Sequence, residues 1–221
     1  PYLTTLGNVS STWGTGLAEN RTGSMNLKWE VSTKTNFGID ARFFDDKVDM
    51  TVDFFHTKTT DIFQRRANIP DEGGLSNVLP YANIGSMKSW GMDGTLAYTH
   101  TFNKDMALTV RGNFTHAENE VIYWEQSGVN YPYQSNSGVP YKVQRGLIAL
   151  GLFKDEDDIK SSPKQTFMDN YRPGDIKYKD VNGDGKIDKD DVVPLNYSAV
   201  PFIQYGFALD WNYKAFRVSI L

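Results

Sequence analysis

Period-two alternation, sustained over runs of a dozen residues, constrains this chain more than any other feature. From Lys28 to Phe43 the odd positions read Trp29, Val31, Thr33, Thr35, Phe37, Ile39, Ala41 and Phe43. The even positions read Lys28, Glu30, Ser32, Lys34, Asn36, Gly38, Asp40 and Arg42. Successive side chains of a strand point to opposite faces, so the pattern describes an extended strand with one apolar and one polar face. A tight turn at Asp45–Lys47 leads into a second strand, Val48–Ile62, in which Val48, Met50, Val52 and Phe54 alternate with Asp49, Thr51 and Asp53, with Thr57 and Thr59 following.

Two further pairs repeat the scheme. Trp90, Met92, Leu96, Tyr98 and Phe102 turn through Asn103–Asp105 into Met106, Leu108, Val110 and Phe114. Ile203, Tyr205, Phe207, Leu209, Trp211 and Tyr213 turn through Lys214–Ala215 into Phe216, Val218 and Ile220. The expectation is an all-β chain of six antiparallel strands in three hairpins.

The connections are lopsided. Turns within hairpins are short. Arg65 to Tyr81, carrying Ile69-Pro70-Asp71-Glu72-Gly73-Gly74, is long, and Glu125 to Val200 exceeds the loops of compact domains. Within it, Leu152 to Lys160 predicts a short acidic helix.

A soluble sandwich also alternates, but its strands run to about 5–6 residues. Long strands, short turns on one side and long loops on the other are the habit of outer-membrane barrels. The apolar faces also end in aromatics: Trp29 and Phe43, Trp90 and Phe102, Trp211 and Tyr213. Such rings suit membrane interfaces, and aromatics make up 14% of a chain that is polar on average. A net charge of −4 gives no electrostatic footprint for nucleic acid. No run approaches the 18 or so apolar residues of a transmembrane helix. Cysteine is absent, removing disulfides, thiolate nucleophiles and Cys-based metal sites.

Single-chain barrels start at about eight strands, and open edges in lipid leave backbone groups unpaired. The chain also begins at Pro1 without a Met and stops at Leu221 inside an alternating run. We therefore expect residues 1–221 to be one portion of a larger barrel, with residues 125–200 forming a long extracellular loop.

Several motifs resemble the SusC/RagA family of TonB-dependent outer-membrane transporters, in the C-terminal part of their barrel. Leu27-Lys28-Trp29-Glu30 followed by Thr35-Asn36-Phe37-Gly38-Ile39-Asp40 is similar to one family strand. Asn83-Ile84-Gly85 with Trp90-Gly91-Met92-Asp93 is similar to another. The most specific match is Pro173-Gly174-Asp175-Ile176-Lys177-Tyr178-Lys179-Asp180, continuing through Val181-Asn182-Gly183-Asp184-Gly185-Lys186-Ile187-Asp188, with Pro201-Phe202 and Tyr205-Gly206-Phe207 opening the next strand. The resemblance implies a barrel of about 22 strands in outer-membrane lipid, holding a plug domain not contained in this sequence. It also implies a SusD-like surface lipoprotein as lid, the TonB complex as energy source, and oligosaccharides or peptides as cargo.

Asp180, Asn182, Asp184, Lys186, Asp188 and Asp191 reproduce positions 1, 3, 5, 7, 9 and 12 of an EF-hand-type loop. Oxygen ligands at alternate positions wrap one Ca²⁺, Gly185 allows the sharp turn, Lys186 offers its carbonyl and Ile187 packs inward. Asp191 stands where Glu normally ligates, and no helix pair flanks the loop. The expectation is a structural Ca²⁺; the competing reading is an Asx-rich turn closed by its own side chains.

Other candidates point away from chemistry. His56, His100 and His116 sit singly on strands without triad or metal spacing. Asp155-Glu156-Asp157-Asp158 reads as an exposed helix start with solvated acids rather than as a glycosidase pair. Tyr123, Trp124, Tyr131 and Tyr133 suit either stacking on sugar rings or packing of the loop or the lid interface. The function expected is import rather than catalysis. The alternative is a soluble extracellular Ca²⁺-dependent β-module that binds carbohydrate or an adhesion partner.

Overall fold

In the computed structural model the described residues are 5–11, 14–21, 23–24, 26–69 and 79–221. The Pro70-Asp71-Glu72-Gly73-Gly74 stretch of the first long connection lies outside them. A hairpin that the alternation does not signal pairs β1 (Thr5–Ser11) with β2 (Gly14–Arg21). Four long strands follow: β3 (Val31–Phe43), β4 (Val48–Arg65), β5 (Tyr81–Asn103) and β6 (Met106–Tyr123). Six short strands lie in the long connection: β7 (Val143–Gly146), β8 (Ala149–Leu152), β9 (Lys164–Gln165), β10 (Ile176–Tyr178), β11 (Lys186–Ile187) and β12 (Val193–Ser198). The chain closes with β13 (Ile203–Tyr213) and β14 (Phe216–Ile220).

The six strands expected from alternation form one sheet in the order β14-β13-β6-β5-β4-β3. Their bounds differ from expectation where alternation lapses. β3 begins at Val31 rather than Lys28, β4 continues past Ile62 to Arg65, β5 begins at Tyr81 rather than Trp90, and β6 runs beyond Phe114 to Tyr123. Within β4, Asp61 adopts φ 55°, a local kink that breaks the period without ending the strand.

Turn chemistry explains the hairpins. Phe44, Asp45 and Asp46 all have positive φ, the left-handed geometry that matches strand twist and that Asp tolerates better than most residues. At the second turn, Asn103 Oδ1 accepts from the Asp105 amide at 2.9 Å, an Asx turn. The Lys214 amide donates to the Asp105 carbonyl at 2.8 Å, and the Thr99 amide to the Lys47 carbonyl at 2.7 Å. All three tight turns therefore lie at one end of the sheet, as expected from sequence, and the chain enters and leaves at the other.

The described residues divide into two units, one made of the sheet (Asn26–Gln64, Ala82–Ile122 and Val200–Leu221) and the other of Pro1–Met25, Arg65–Tyr81 and Tyr123–Ala199. The second is not the irregular loop that its sequence suggests. β7 pairs with β12, β8 with β10 and β9 with β11, around the buried side chains of Phe153, Ile187 and Val193. The acidic helix, α1, spans Glu156–Ser161 and not Leu152–Lys160. Leu152 belongs to β8, and Asp155 caps the helix by accepting from the Asp157 and Asp158 amides.

Candidate functional site

The sheet's two faces are chemically opposite. Register places Phe37 beside Phe54, Ile39 beside Val52 and Ala41 beside Met50. Phe114 faces Tyr205, Val110 faces Leu209 and Leu108 faces Trp211, and Trp211 faces Val218. Met50, Val52, Leu96, Phe114, Tyr205 and Phe207 line one shared depression, so the apolar residues of β4, β5, β6 and β13 occupy a single face. A sandwich would bury that face beneath a second sheet. Here Phe37 is 63% exposed, Leu96 54%, and Tyr205 and Phe207 71% each. The only buried apolar residue of this unit besides Val121 is Ala208, among the described residues.

Aromatics collect near the tight turns. His100 lies 4.4 Å from the Phe102 ring in an edge-on contact and 6.3 Å from Tyr98, and Trp211 stacks on Tyr213 at 5.9 Å. His100 is thus a member of an aromatic band. His116 pairs with Glu118 at 3.5 Å, and His56 stands opposite Thr35. β13 has 11 residues; at about 3.3 Å each and a tilt of about 40° it spans roughly 28 Å, close to the apolar band of outer-membrane barrels.

The polar face pairs Gly38 with Asp53, Asp40 with Thr51 and Arg42 with Asp49. A hollow there is lined by Thr51, Asp53, Asp93, Asn113 and Thr115. Asp210 accepts from Ser219 and from Arg217 at 3.3 Å, and lies 3.8 Å from Arg111. The motif glycines make room on this face. A Cβ at Gly38 would collide with the Asp53 carboxylate, and one at Gly91 with the His116 backbone carbonyl, lying also 2.8 Å from the Phe55 ring. Asn83 acts as a staple: its amide nitrogen donates to the Lys28 and Asp61 carbonyls at 2.9 and 2.8 Å, and its Oδ1 accepts from the Lys28 amide at 2.9 Å.

In the second unit the sequence candidates come together. Tyr131 and Tyr133 stack on each other at 5.3 Å. Tyr133 donates its hydroxyl proton to the Asp190 carbonyl at 2.6 Å, and Asn182 Nδ2 donates to the Tyr131 hydroxyl at 3.2 Å. The aromatic pair therefore packs on the Asp-rich loop. Burial, then the charge of Tyr131 and of Asp191, Asp190 and Asp180, raises the Tyr133 pKa, which keeps that donor protonated. Tyr123 stays exposed, and the Trp124 amide donates to Ser137 Oγ at 3.0 Å.

Asp180 accepts from the Gly183 and Gly185 amides at 2.6 and 2.8 Å, Asn182 from Asp184 at 3.0 Å, Asp184 from Lys186 at 2.9 Å and Asp188 from Asp190 at 2.7 Å. Asp191, fully buried, accepts from Val181 at 2.7 Å and Asp188 at 2.9 Å. The loop thus closes on its own amides, and Gly183 and Gly185 supply the positive φ it needs. Among the described residues no three His, Cys, Asp or Glu side chains converge as a metal site. Ile187 packs inward as expected.

Three residues that organise this unit escape sequence reasoning. Arg145 donates to the Tyr133 and Ser135 carbonyls and to Asn136 Oδ1. Arg66 and Glu125 form an ion pair at 2.7 Å. Burial penalises the Glu125 charge, but the Arg66 guanidinium and the Ala67 and Asn68 amides outweigh it, and its pKa falls below the ordinary value. Nor are the acids of 155–158 all simply solvated: Asp158 lies 2.7 Å from Lys177, whose hydrogen bond, with that of the Lys154 amide, lowers its pKa.

Comparison with known proteins supplies the context. Residues 1–219 match the family described as TonB dependent receptor-like, beta-barrel. A TonB-dependent receptor of Formosa agariphila is 29% identical over 93% of this chain and 23% of its own length. The TonB-dependent receptor SusC of Bacteroides thetaiotaomicron is 26% identical over 88% of this chain and 19% of its own. The chain therefore spans about a fifth of the length of these relatives. The solved structure of the RagAB peptide transporter superposes with a TM-score of 0.69 at 23% identity, covering 99% of this chain and 23% of that one; at that identity it bears on fold alone.

Proposed function

This chain belongs to the TonB dependent receptor-like β-barrel family, and on that premise we propose that it is a sector of the wall, with its outer connections, of a SusC-like importer in the outer membrane. The observation that carries this reading is the exposed apolar face of the six-stranded sheet. A soluble Ca²⁺-dependent module would leave the same face in water, a patch far beyond what monomeric soluble proteins carry. The sheet's clustered tight turns also resemble the short periplasmic turns of such barrels, which supports assigning residues 125–200 to the outside of the cell.

The cargo we assign is an oligosaccharide or a peptide, delivered beneath a SusD-like surface lipoprotein and driven by the TonB complex. The family match and the likeness to SusC support import of this kind. Within the described residues the close titratable pairs are ion pairs and caps, so import rather than catalysis is the role proposed. A cell lacking the full-length protein should lose uptake of one cargo class and regain it on complementation. Its detergent extract should co-purify a lipoprotein. Unchanged uptake of both classes rejects the proposal.

A structural Ca²⁺ held by Asp180, Asn182, Asp184, the Lys186 carbonyl, Asp188 and Asp191 is a second proposal, resting on ligand spacing. The amides described above compete for the same oxygens, and removing the ion with a chelator separates the two readings.

A further inference from the structure

The glycines of the six-stranded sheet are of two kinds. At Gly38, Gly91 and Gly206 a Cβ would run into Asp53, the His116 carbonyl and Phe55 ring, or Asn113, respectively, so close approach of a neighbour accounts for them. Gly94 and Gly112 differ. A Cβ at Gly94 would meet nothing nearer than the Thr51 carbonyl at 3.6 Å, and one at Gly112 nothing nearer than the Phe207 ring at 3.4 Å. Neither residue has positive φ. A side chain is permitted at both positions by backbone and by neighbours, yet both lack one.

Their missing side chains leave a groove on the apolar face of about 430 Å³, walled by Met50, Val52, Leu96, Phe114, Tyr205 and Phe207. No charged residue lines it. The Tyr205 and Phe207 rings rise along one side, 6.1 Å apart and tilted by 59°, and remain largely exposed.

We propose that this groove seats one acyl chain of a membrane lipid. The inference rests on the barrel reading above, because the groove is continuous with the face that barrel turns toward lipid. An unbranched methylene chain fits a slot floored by two glycines and gains dispersion contact with aromatic walls that the neighbouring, fully furnished surface does not provide. The uncharged lining gives a headgroup no purchase, so recognition is of the chain.

The test uses the full-length transporter in phosphatidylethanolamine vesicles doped with a lipid bearing a diazirine on its acyl chain. Irradiation and peptide mapping should concentrate label on Leu96, Phe114 and Phe207 relative to Phe37, Val110 and Phe216, which are also exposed on that face. Gly94→Leu and Gly112→Leu, each verified as a folded barrel by heat-modifiable gel mobility, should abolish the concentration and leave Phe37 and Val110 labelled. Even labelling across the face, or an unchanged pattern in a folded filling variant, overturns the groove. Should neither variant fold, the wild-type contrast between groove and surroundings still decides. Absence of label from Phe37 and Val110 as well overturns the barrel reading itself, and the groove with it.

Discussion

The Arg66 guanidinium lies 2.7 Å from the Glu125 carboxylate, 59 residues further along the chain, and the Ala67 amide donates to the same oxygen at 3.2 Å. Glu125 is buried. The pair fastens the start of the first long connection to the start of the second, just past the ends of β4 and β6.

Arg66→Ala leaves a buried carboxylate with amide partners only, a change expected to cost about 1–3 kcal/mol locally. Limited proteolysis of the full-length protein should cleave faster within 125–199, with the sheet unaffected. Because the folded Glu125 pKa is depressed, its contribution is fully present above the ordinary value of 4.5 and is lost as pH falls through the depressed one. Protection should therefore weaken in acid in the wild type, and that component should vanish in Glu125→Gln. Unchanged cleavage and pH dependence in both variants would assign the pair no structural role.

One glycine from each face of the sheet gives a paired prediction. Gly91→Ala drives a methyl into the His116 backbone carbonyl, 2.8 Å from the Phe55 ring and 2.9 Å from the Ala117 Cα, an overpacking expected to cost about 1–3 kcal/mol or more and to reduce the yield of assembled barrel. Gly94→Ala, three residues on, meets only ordinary contacts and should assemble like wild type. Equal yields would mean that close approach does not explain Gly91.

Legibility tracked local pattern. β13 emerged with its bounds intact because Ile203 to Tyr213 alternates without interruption. Alternation starts β5 only at Trp90, because its first half is ordered by Asn83 reaching across to Lys28 and by Gly85 lying against Ile62, contacts that leave no period in the sequence. The last three residues of β4, beyond the expected end at Ile62, carry Gln64 and Arg65, polar residues that extend no apolar face. The unit around residues 125–199 was invisible as a fold, since β7 and β12 pair across roughly 50 residues and short strands carry too few positions to show a period. The Asp-rich loop was legible as a motif because its spacing is local, but the docking of Tyr131 and Tyr133 upon it was not.

The calcium proposal predicts that EGTA speeds tryptic cleavage after Lys186 and Lys189, and that added Ca²⁺ reverses this while Mg²⁺, which demands a tighter octahedral shell, does not. Asp184→Ala should abolish the response. Protection that ignores chelator would leave the loop held by its own amides, as the Asp180 and Asp191 bonds allow.

The central claim is that this sheet turns its apolar face to lipid. Single spin labels placed in turn at each position of Ile203–Tyr213, in the full-length protein in a bilayer, test it directly. Collision with dissolved oxygen should peak at Ile203, Tyr205, Phe207, Leu209, Trp211 and Tyr213, and collision with an aqueous nickel complex should favour Gln204, Gly206, Ala208, Asp210 and Asn212. A flat profile, or oxygen maxima at the polar positions, would contradict the account.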